Sequence, residues 1–260
     1  LADHINITTI LAMHNALLGP SDPHNAGRLR AQQVWIGGSG TGPHHAVFVP
    51  PHHTRVEEAL VDLIAFIDRD DIPALAKAAI AHAQFETIHP FTDGNGRTGR
   101  ALVHAILARE GVVERTVLPI SAGLLTDTKN YYDSLTQYRT GDVSAIVSCF
   151  TKAAFIAARR GRVLVDEANT IRNEHAARVT ARRDAAAWKL CDLLIAQPVV
   201  NVAYVAEALD ITRPAAQNAI DQLVEAKVLA ESTKQSRNRV WVAGSYVKIL
   251  DDFAARIRRH

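Results

Sequence analysis

The segment His89-Pro90-Phe91-Thr92-Asp93-Gly94-Asn95-Gly96-Arg97-Thr98-Gly99-Arg100 lies between two helical runs and sets what the chain around it must build. Gly94 and Gly96 permit positive φ and leave backbone N–H groups uncovered, so successive amides around Asn95 can converge on an anion. A helix beginning near Arg97 adds its unpaired N–H groups and the positive end of its dipole to the same place. Arg97 and Arg100, three residues apart, share one face of that helix start and offer planar donor forks to phosphate oxygens. Two cations suit a polyphosphate better than a single phosphate. Asp93 is a hard oxygen ligand suited to Mg2+ that bridges substrate phosphates. His89, ending the preceding helix, has the pKa range of a group that takes a proton from an attacking hydroxyl.

Working outward, apolar residues recur at helical spacing through 6–18, 56–68, 74–88, 99–110, 128–140 and 142–160. Breakers fall between these runs: Gly19-Pro20, Pro73, Gly111, Pro119 and Gly141. The fold class is therefore mainly α. One stretch differs. Residues 34–51 place two short β-prone runs around a glycine-rich centre, the pattern of a β-hairpin, and Pro50-Pro51 close it. Residues 159–183, rich in alanine and arginine and free of proline, predict a long helix bridging two domains. Beyond it come helices at 185–196, 202–209 and 213–226, then β-prone runs at 228–231 and 239–243 around a polar tip. That is the order of a winged helix-turn-helix. The expected division is 1–160, a connecting helix 161–183, and a small domain 184–260.

The twelve residues from His89 to Arg100 resemble the Fic-domain motif HPFx(D/E)GNGRxxR, with every fixed position present. A match of this length is far more specific than a lone GxGxxG. The resemblance extends outward: Trp35-Ile36-Gly37-Gly38 and Phe48-Val49-Pro50-Pro51 resemble the family's flap hairpin, residues 78–86 its helix before the motif, and Tyr131-Tyr132 its nucleobase-side helix. It covers residues 1–161, and bacterial members of the family often carry a C-terminal winged helix. The resemblance implies a Fic-type helical bundle with a β-hairpin flap and a protein adenylyltransferase, with ATP as substrate and Mg2+ held by Asp93. His89 then deprotonates a Ser, Thr or Tyr hydroxyl of a target protein or of the chain itself. Gly94, Asn95 and Gly96 form the anion hole, and Arg97 and Arg100 bind the outer phosphates. Val34, Trp35, Ile36, Gly37 and Gly38 dock the target as an added strand, and Asn130, Tyr131 and Tyr132 are candidates for the adenine pocket. Tyr131 and Tyr132 are equally readable as core aromatics. Gly96 stands where kinase-like relatives carry lysine; other transferred groups, removal of AMP, and nucleotide sensing by a DNA-binding regulator remain as alternatives.

The family's inhibitory pattern (S/T)xxxE(G/N) is not found: four positions before Glu110-Gly111 stands Ile106. An inhibitory segment is expected upstream of Leu1, with a separate antitoxin or an unrestrained enzyme as alternatives. A formal charge of +2 calls for neither nucleic acid nor anionic membrane. Residues 184–260 hold ten Lys or Arg against nine Asp or Glu, short of the basic footprint of a dedicated DNA binder. Gln217, Asn218, Asp221 and Gln222, with Lys234, Arg237 and Arg239, are the candidates for contact with DNA or protein there. His44-His45 and His52-His53 are more simply surface residues than a metal site, because no carboxylate accompanies them. Cys149 and Cys191 lie among apolar helical residues, which predicts buried free thiols and a reducing cytoplasm. No apolar run reaches bilayer length. A homodimer is possible.

Overall fold

The computed structural model describes residues 4–38, 42–113, 118–182, 185–233 and 239–258. Lys234 and Arg237, singled out for the wing, and the terminal Arg259 and His260 lie outside the described residues. The chain divides after Ala158 into two compact units, each with its own core.

The first unit is built from helices α1 (Ile7–Leu18), α2 (Val56–Ile67), α3 (Ala74–Ile88), α4 (Asn95–Arg109), α5 (Ile120–Leu124) and α6 (Thr128–Arg139), with the first part of α7 (Val143–Arg178). Asn6 starts α1 by a capping box with Thr9, each side chain taking the other's backbone N–H. Val56, Leu60, Leu63 and Ile67 form the single buried stripe of α2, while Glu57 and Glu58 in its first turn complement the dipole. Helix α3 is different, because it is buried nearly all round. Its Ala78, Ala79, Ala81 and Ala83 let neighbours approach closely, and α4 answers with Gly99, where a Cβ would meet His82 and Phe85 at 3.1 Å. Fully buried Lys77 is satisfied by Glu110, Nζ to Oε1 2.6 Å, so Glu110 is engaged at the end of α4 away from the motif.

The hairpin expected over residues 34–51 is reduced to a single bridge. Ile36 N–H donates to Phe48 O (2.9 Å) and Phe48 N–H to Ile36 O (3.2 Å), and no strand continues from them among the described residues. Pro43 and the 3-10 turn Pro43–His45 bend the returning arm before a second ladder pair forms. The two helices expected at 142–160 and 159–183 are one helix, α7, because no proline interrupts them and Gly161 lies inside a helix with space around it.

The second unit contains the rest of α7, α8 (Ala186–Ala196), β1 (Val199–Val200), α9 (Val202–Ala208), α10 (Arg213–Glu225), β2 (Ala230–Glu231), β3 (Trp241–Val242) and α11 (Gly244–Arg258). Asn201 caps α9 through Tyr204 N–H, and Thr212 caps α10 ahead of Pro214. The antiparallel sheet has the order β1-β3-β2, with Val200 opposite Trp241 and Glu231 opposite Trp241 from the other side. Strand β1, following Pro198, was not anticipated from sequence. Trp241, 1% exposed, anchors this second core with Leu190, Leu194, Ile220 and Leu223. Cys149 and Cys191 are buried and free. Among the described residues no helix is long and apolar enough to cross a membrane.

Candidate functional site

The loop between α3 and α4 is closed from within by Asn95. Its Oδ1 accepts Phe91 N–H at 2.9 Å and its Nδ2 donates to Phe91 O at 2.8 Å, so both ends of the amide are committed to the loop. Asn95, 2% exposed, is placed to meet an anion through its backbone N–H rather than its side chain. Gly94, at φ 76°, turns the chain into α4; a Cβ there would stand 2.5 Å from Leu18 Cδ1. The first bond of α4 is Thr98 N–H to Gly94 O, 2.9 Å. That leaves the amides of Asn95, Gly96 and Arg97 without intrahelical acceptors at the positive end of the dipole.

His14, which sequence reasoning missed, supports this loop from α1. Its fully buried ring stacks on Phe91 with centroids 3.7 Å apart, its Nδ1 accepts Gly27 N–H (2.9 Å), and the proton thereby left on Nε2 is donated to Asp93 O (3.0 Å). Asp93 itself projects outward, its side chain 72% exposed, with Oδ1 on Gly94 N–H (2.6 Å) and Oδ2 on Arg97 Nη2 (3.1 Å). Arg97 and Arg100 therefore behave differently in this state. Arg97 is held by Asp93, while the Arg100 guanidinium folds back so that its Nη1 lies 3.1 Å from where a Gly96 Cβ would be.

His89 terminates α3 in the left-handed region, φ 50° and ψ 62°, with its N–H on Phe85 O (2.8 Å) and its carbonyl oxygen accepting from Arg30 Nε (2.8 Å). Burial drives its pKa down to about 4; the backbone carbonyl of Glu86 acts the other way, and the charges of Arg30 and Arg139 add to the depression. The imidazole is consequently neutral and able to accept a proton at physiological pH.

Behind it sits Glu86, a second residue that the sequence did not distinguish. Its Oε2 is 3.8 Å from His89 Nδ1, and its Oε1 is buried without a hydrogen-bond partner. Burial pushes its carboxyl up to about 7 against the opposing charges of Arg100 and Arg139. Arg139, at the end of α6, stacks its guanidinium over Phe48 of the flap, 3.7 Å from the ring centroid.

The adenine-side candidates separate. Tyr131 turns inward, its hydroxyl bonded to His82 Nε2 at 2.8 Å, and burial raises its pKa; it packs against the core rather than presenting a free edge. Tyr132 is 63% exposed, and Asn130 is exposed with its N–H on Asp127 Oδ1. In the flap, Val34 and Ile36 are half-buried and Trp35 is exposed. Gly37 and Gly38 hold positive φ where a Cβ would collide with Val47 and His45. The rings of His52 and His53 lie 4.2 Å apart, tilted at 38° to each other, and among the described residues no group of three or more His, Cys, Asp or Glu is placed to hold a metal.

Residues 4–107 match the model of the Fic/DOC family. The chain is 36% identical over 153 residues to protein adenylyltransferase fic-1 of Caenorhabditis elegans, a match covering 58% of this chain and 27% of that protein. It is 32% identical over 146 residues to protein adenylyltransferase Fic of Nematostella vectensis, covering 56% and 31%. The matched stretches thus span less than a third of these relatives' length. Among solved structures, a Fic family protein from Desulfovibrio desulfuricans G20 shares the fold with a TM-score of 0.56, at 23% identity over 94% of this chain and 69% of that one.

Proposed function

We propose, from the premise that the chain carries a Fic/DOC family domain over residues 4–107, that it transfers the adenylyl group of ATP to a Ser, Thr or Tyr hydroxyl of a protein. One arrangement carries this reading: a short loop joins His89, at the end of α3, to a start of α4 whose Asn95, Gly96 and Arg97 amides have no intrahelical acceptor, with the Arg100 guanidinium folded back onto that helix start. The attacking hydroxyl oxygen forms a bond to the α-phosphorus, its proton passes to the His89 imidazole, and the bond to the departing pyrophosphate breaks. The amides of Asn95, Gly96 and Arg97 take the phosphate charge, and Arg100 stabilises the leaving group. Arg97 exchanges Asp93 for the outer phosphates. Exposed Asp93 suits Mg2+, which needs one or two carboxylates beside substrate phosphates rather than a protein cage. When bound there, Mg2+ supplies charge neutralisation on the polyphosphate. Residues 34–38 receive the target as an added strand. With the Tyr131 hydroxyl engaged by His82, Tyr132 and Asn130 are the adenine-side groups left accessible.

The test is incubation of purified protein with Mg2+ and labelled ATP, with intact mass identifying the added group. His89→Ala is expected to lower labelling by about 10²- to 10⁴-fold while leaving nucleotide binding in place. Undiminished labelling removes His89 from the chemistry. An added mass other than AMP replaces the adenylyl reading by one of another transferred group.

For residues 186–258 we propose a winged helix, supported by the order α9, α10, β2, β3 and by the three-stranded sheet. Protein docking is favoured over DNA binding, because the exposed Arg239 is engaged in a two-point pair by Glu231 (2.6 and 2.5 Å) rather than left as an unpaired cation. Salt-dependent, sequence-specific duplex binding would reverse that preference.

A further inference from the structure

Arg30 lies in the segment between α1 and the flap and is 4% exposed. Burying a guanidinium costs heavily unless its donors are met, and here they are met by backbone carbonyls. Nε donates to His89 O (2.8 Å), Nη1 to Gln32 O (3.0 Å), and Nη2 to Pro51 O (2.5 Å) with a longer contact to Ile88 O (3.4 Å). Its own N–H donates to Pro90 O at 3.0 Å. Among the described residues Arg30 forms no ion pair. The acceptors fall into two groups: Ile88, His89 and Pro90 are the hinge that carries the imidazole, while Gln32 and Pro51 are the two feet of the flap. Few side chains can do this. A planar fork with five fixed donors reaches acceptors in divergent directions at once, which a lysine ammonium on a flexible stem cannot reproduce.

We propose that Arg30 is a positioning residue, its buried guanidinium clamping the backbone of His89 to both feet of the flap so that the base and the surface receiving the target hydroxyl keep a fixed separation. The proposal rests on the adenylyl-transfer reading for its kinetic consequence and on geometry alone for the clamp. His89 needs such a restraint because its left-handed φ of 50° is an unfavourable conformation for a residue with a Cβ. The flap needs it because, among the described residues, its arms share one backbone bridge, Ile36 to Phe48, and one side-chain bond, Gln33 Nε2 to Pro50 O at 2.8 Å. Misplacing a general base by about 1 Å costs on the order of a hundredfold in rate, whereas the anion-gripping amides of α4 do not touch Arg30.

Arg30→Lys and Arg30→Gln separate the fork from the charge. Arg30→Lys keeps the charge and loses the fork; kcat for AMP transfer is expected to fall about a hundredfold, with the Kd for Mg-ATP within about twofold of wild type. Arg30→Gln loses both, and the His89 titration followed by NMR moves upward as well, since the Arg30 charge contributes to holding it low. In both variants the amides of residues 34–38 and 47–49 exchange with solvent faster. Wild-type kcat in Arg30→Lys overturns the clamp, and so does a parallel loss of kcat and Mg-ATP affinity, which would make Arg30 merely a folding residue. Should either variant fail to fold, the Nε–H of Arg30 in the wild-type protein decides: slow solvent exchange is expected for a donor fixed on the His89 carbonyl, and exchange as fast as a surface arginine overturns the proposal. That measurement needs no activity, so it stands even where wild-type protein transfers no AMP and the adenylyl reading alone falls.

Discussion

Asn95 at the start of α4 is 2% exposed and has both ends of its amide bonded to Phe91, whereas Asn218 on α10 is exposed and accepts from Gln222 one turn further on. Gln217 repeats the α10 arrangement with Asp221 at 2.7 Å. Around α3 and α4 polar groups are drawn into the interior and fixed by distant segments, leaving Glu86 Oε1 and His89 Nδ1 buried without partners. Along α10 polar groups pair one turn apart on the same helix, Gln217 with Asp221 and Gln222 with Asn218, and Gln222 Oε1 is the exception left without a partner. Buried polar groups in low dielectric interact strongly and are costly to leave unpaired. Their concentration beside the amides at the start of α4 that lack intrahelical acceptors is what favours chemistry there, while pairing one turn apart on α10 fits a largely solvated face.

Four measurements press on that contrast. Asn95→Ala strands the N–H and carbonyl of fully buried Phe91, and a loss of about 2–4 kcal/mol in unfolding free energy is expected, with nucleotide affinity falling as well. A denaturation midpoint close to wild type would show that the loop holds itself without the amide. Gly94→Ala adds a Cβ at φ 76° against Leu18, and about 1–3 kcal/mol is expected, read from the shift in Tm. In the third, kcat/KM is followed with pH. Folding lowers the His89 pKa, so its neutral form persists until pH falls towards about 4. The His89 contribution to activity should stay nearly flat from pH 8 to 6, where a histidine of ordinary pKa would lose about three quarters of its neutral form, and a change centred near pH 7 would report the adjacent Glu86 carboxyl instead. The sign for stability is the same: the buried neutral His89 contributes above the unfolded value of 6.5, and that contribution is lost as pH falls from there towards 4. A decline centred on pH 6.5 would place the ring in solvent. Smallest is Gln217→Ala on α10, where less than about 0.5 kcal/mol is expected; a larger loss would mean the helix face is not the solvated one described.

The sequence made the motif legible because its chemistry is packed into twelve consecutive residues, so turn, helix start and paired arginines follow from spacing alone. Supports arriving from elsewhere were not legible. His14, Arg30, Glu86 and Arg139 come from four separate segments, and nothing in their neighbours' pattern distinguishes them from ordinary surface or core residues. Tyr131 and Tyr132 illustrate a second limit. Adjacent aromatics on a helix face different ways, and only the docking of α6 decides that Tyr131 goes in to His82 while Tyr132 stays out. Strand signals overshot in the flap, where β-prone residues form one bridge, and undershot at Val199-Val200, too short to show a period.

The bond from His14 to Asp93 joins residues 79 apart in the chain. Closing a contact of such separation costs chain entropy, so the loop that Asn95 closes from within is expected to gain its outer support only when the first helix docks. A fragment beginning after residue 18 would contain the entire twelve-residue motif and still grip phosphate poorly. Adding residues 4–18 back as a free peptide should restore the grip, as in fragment complementation.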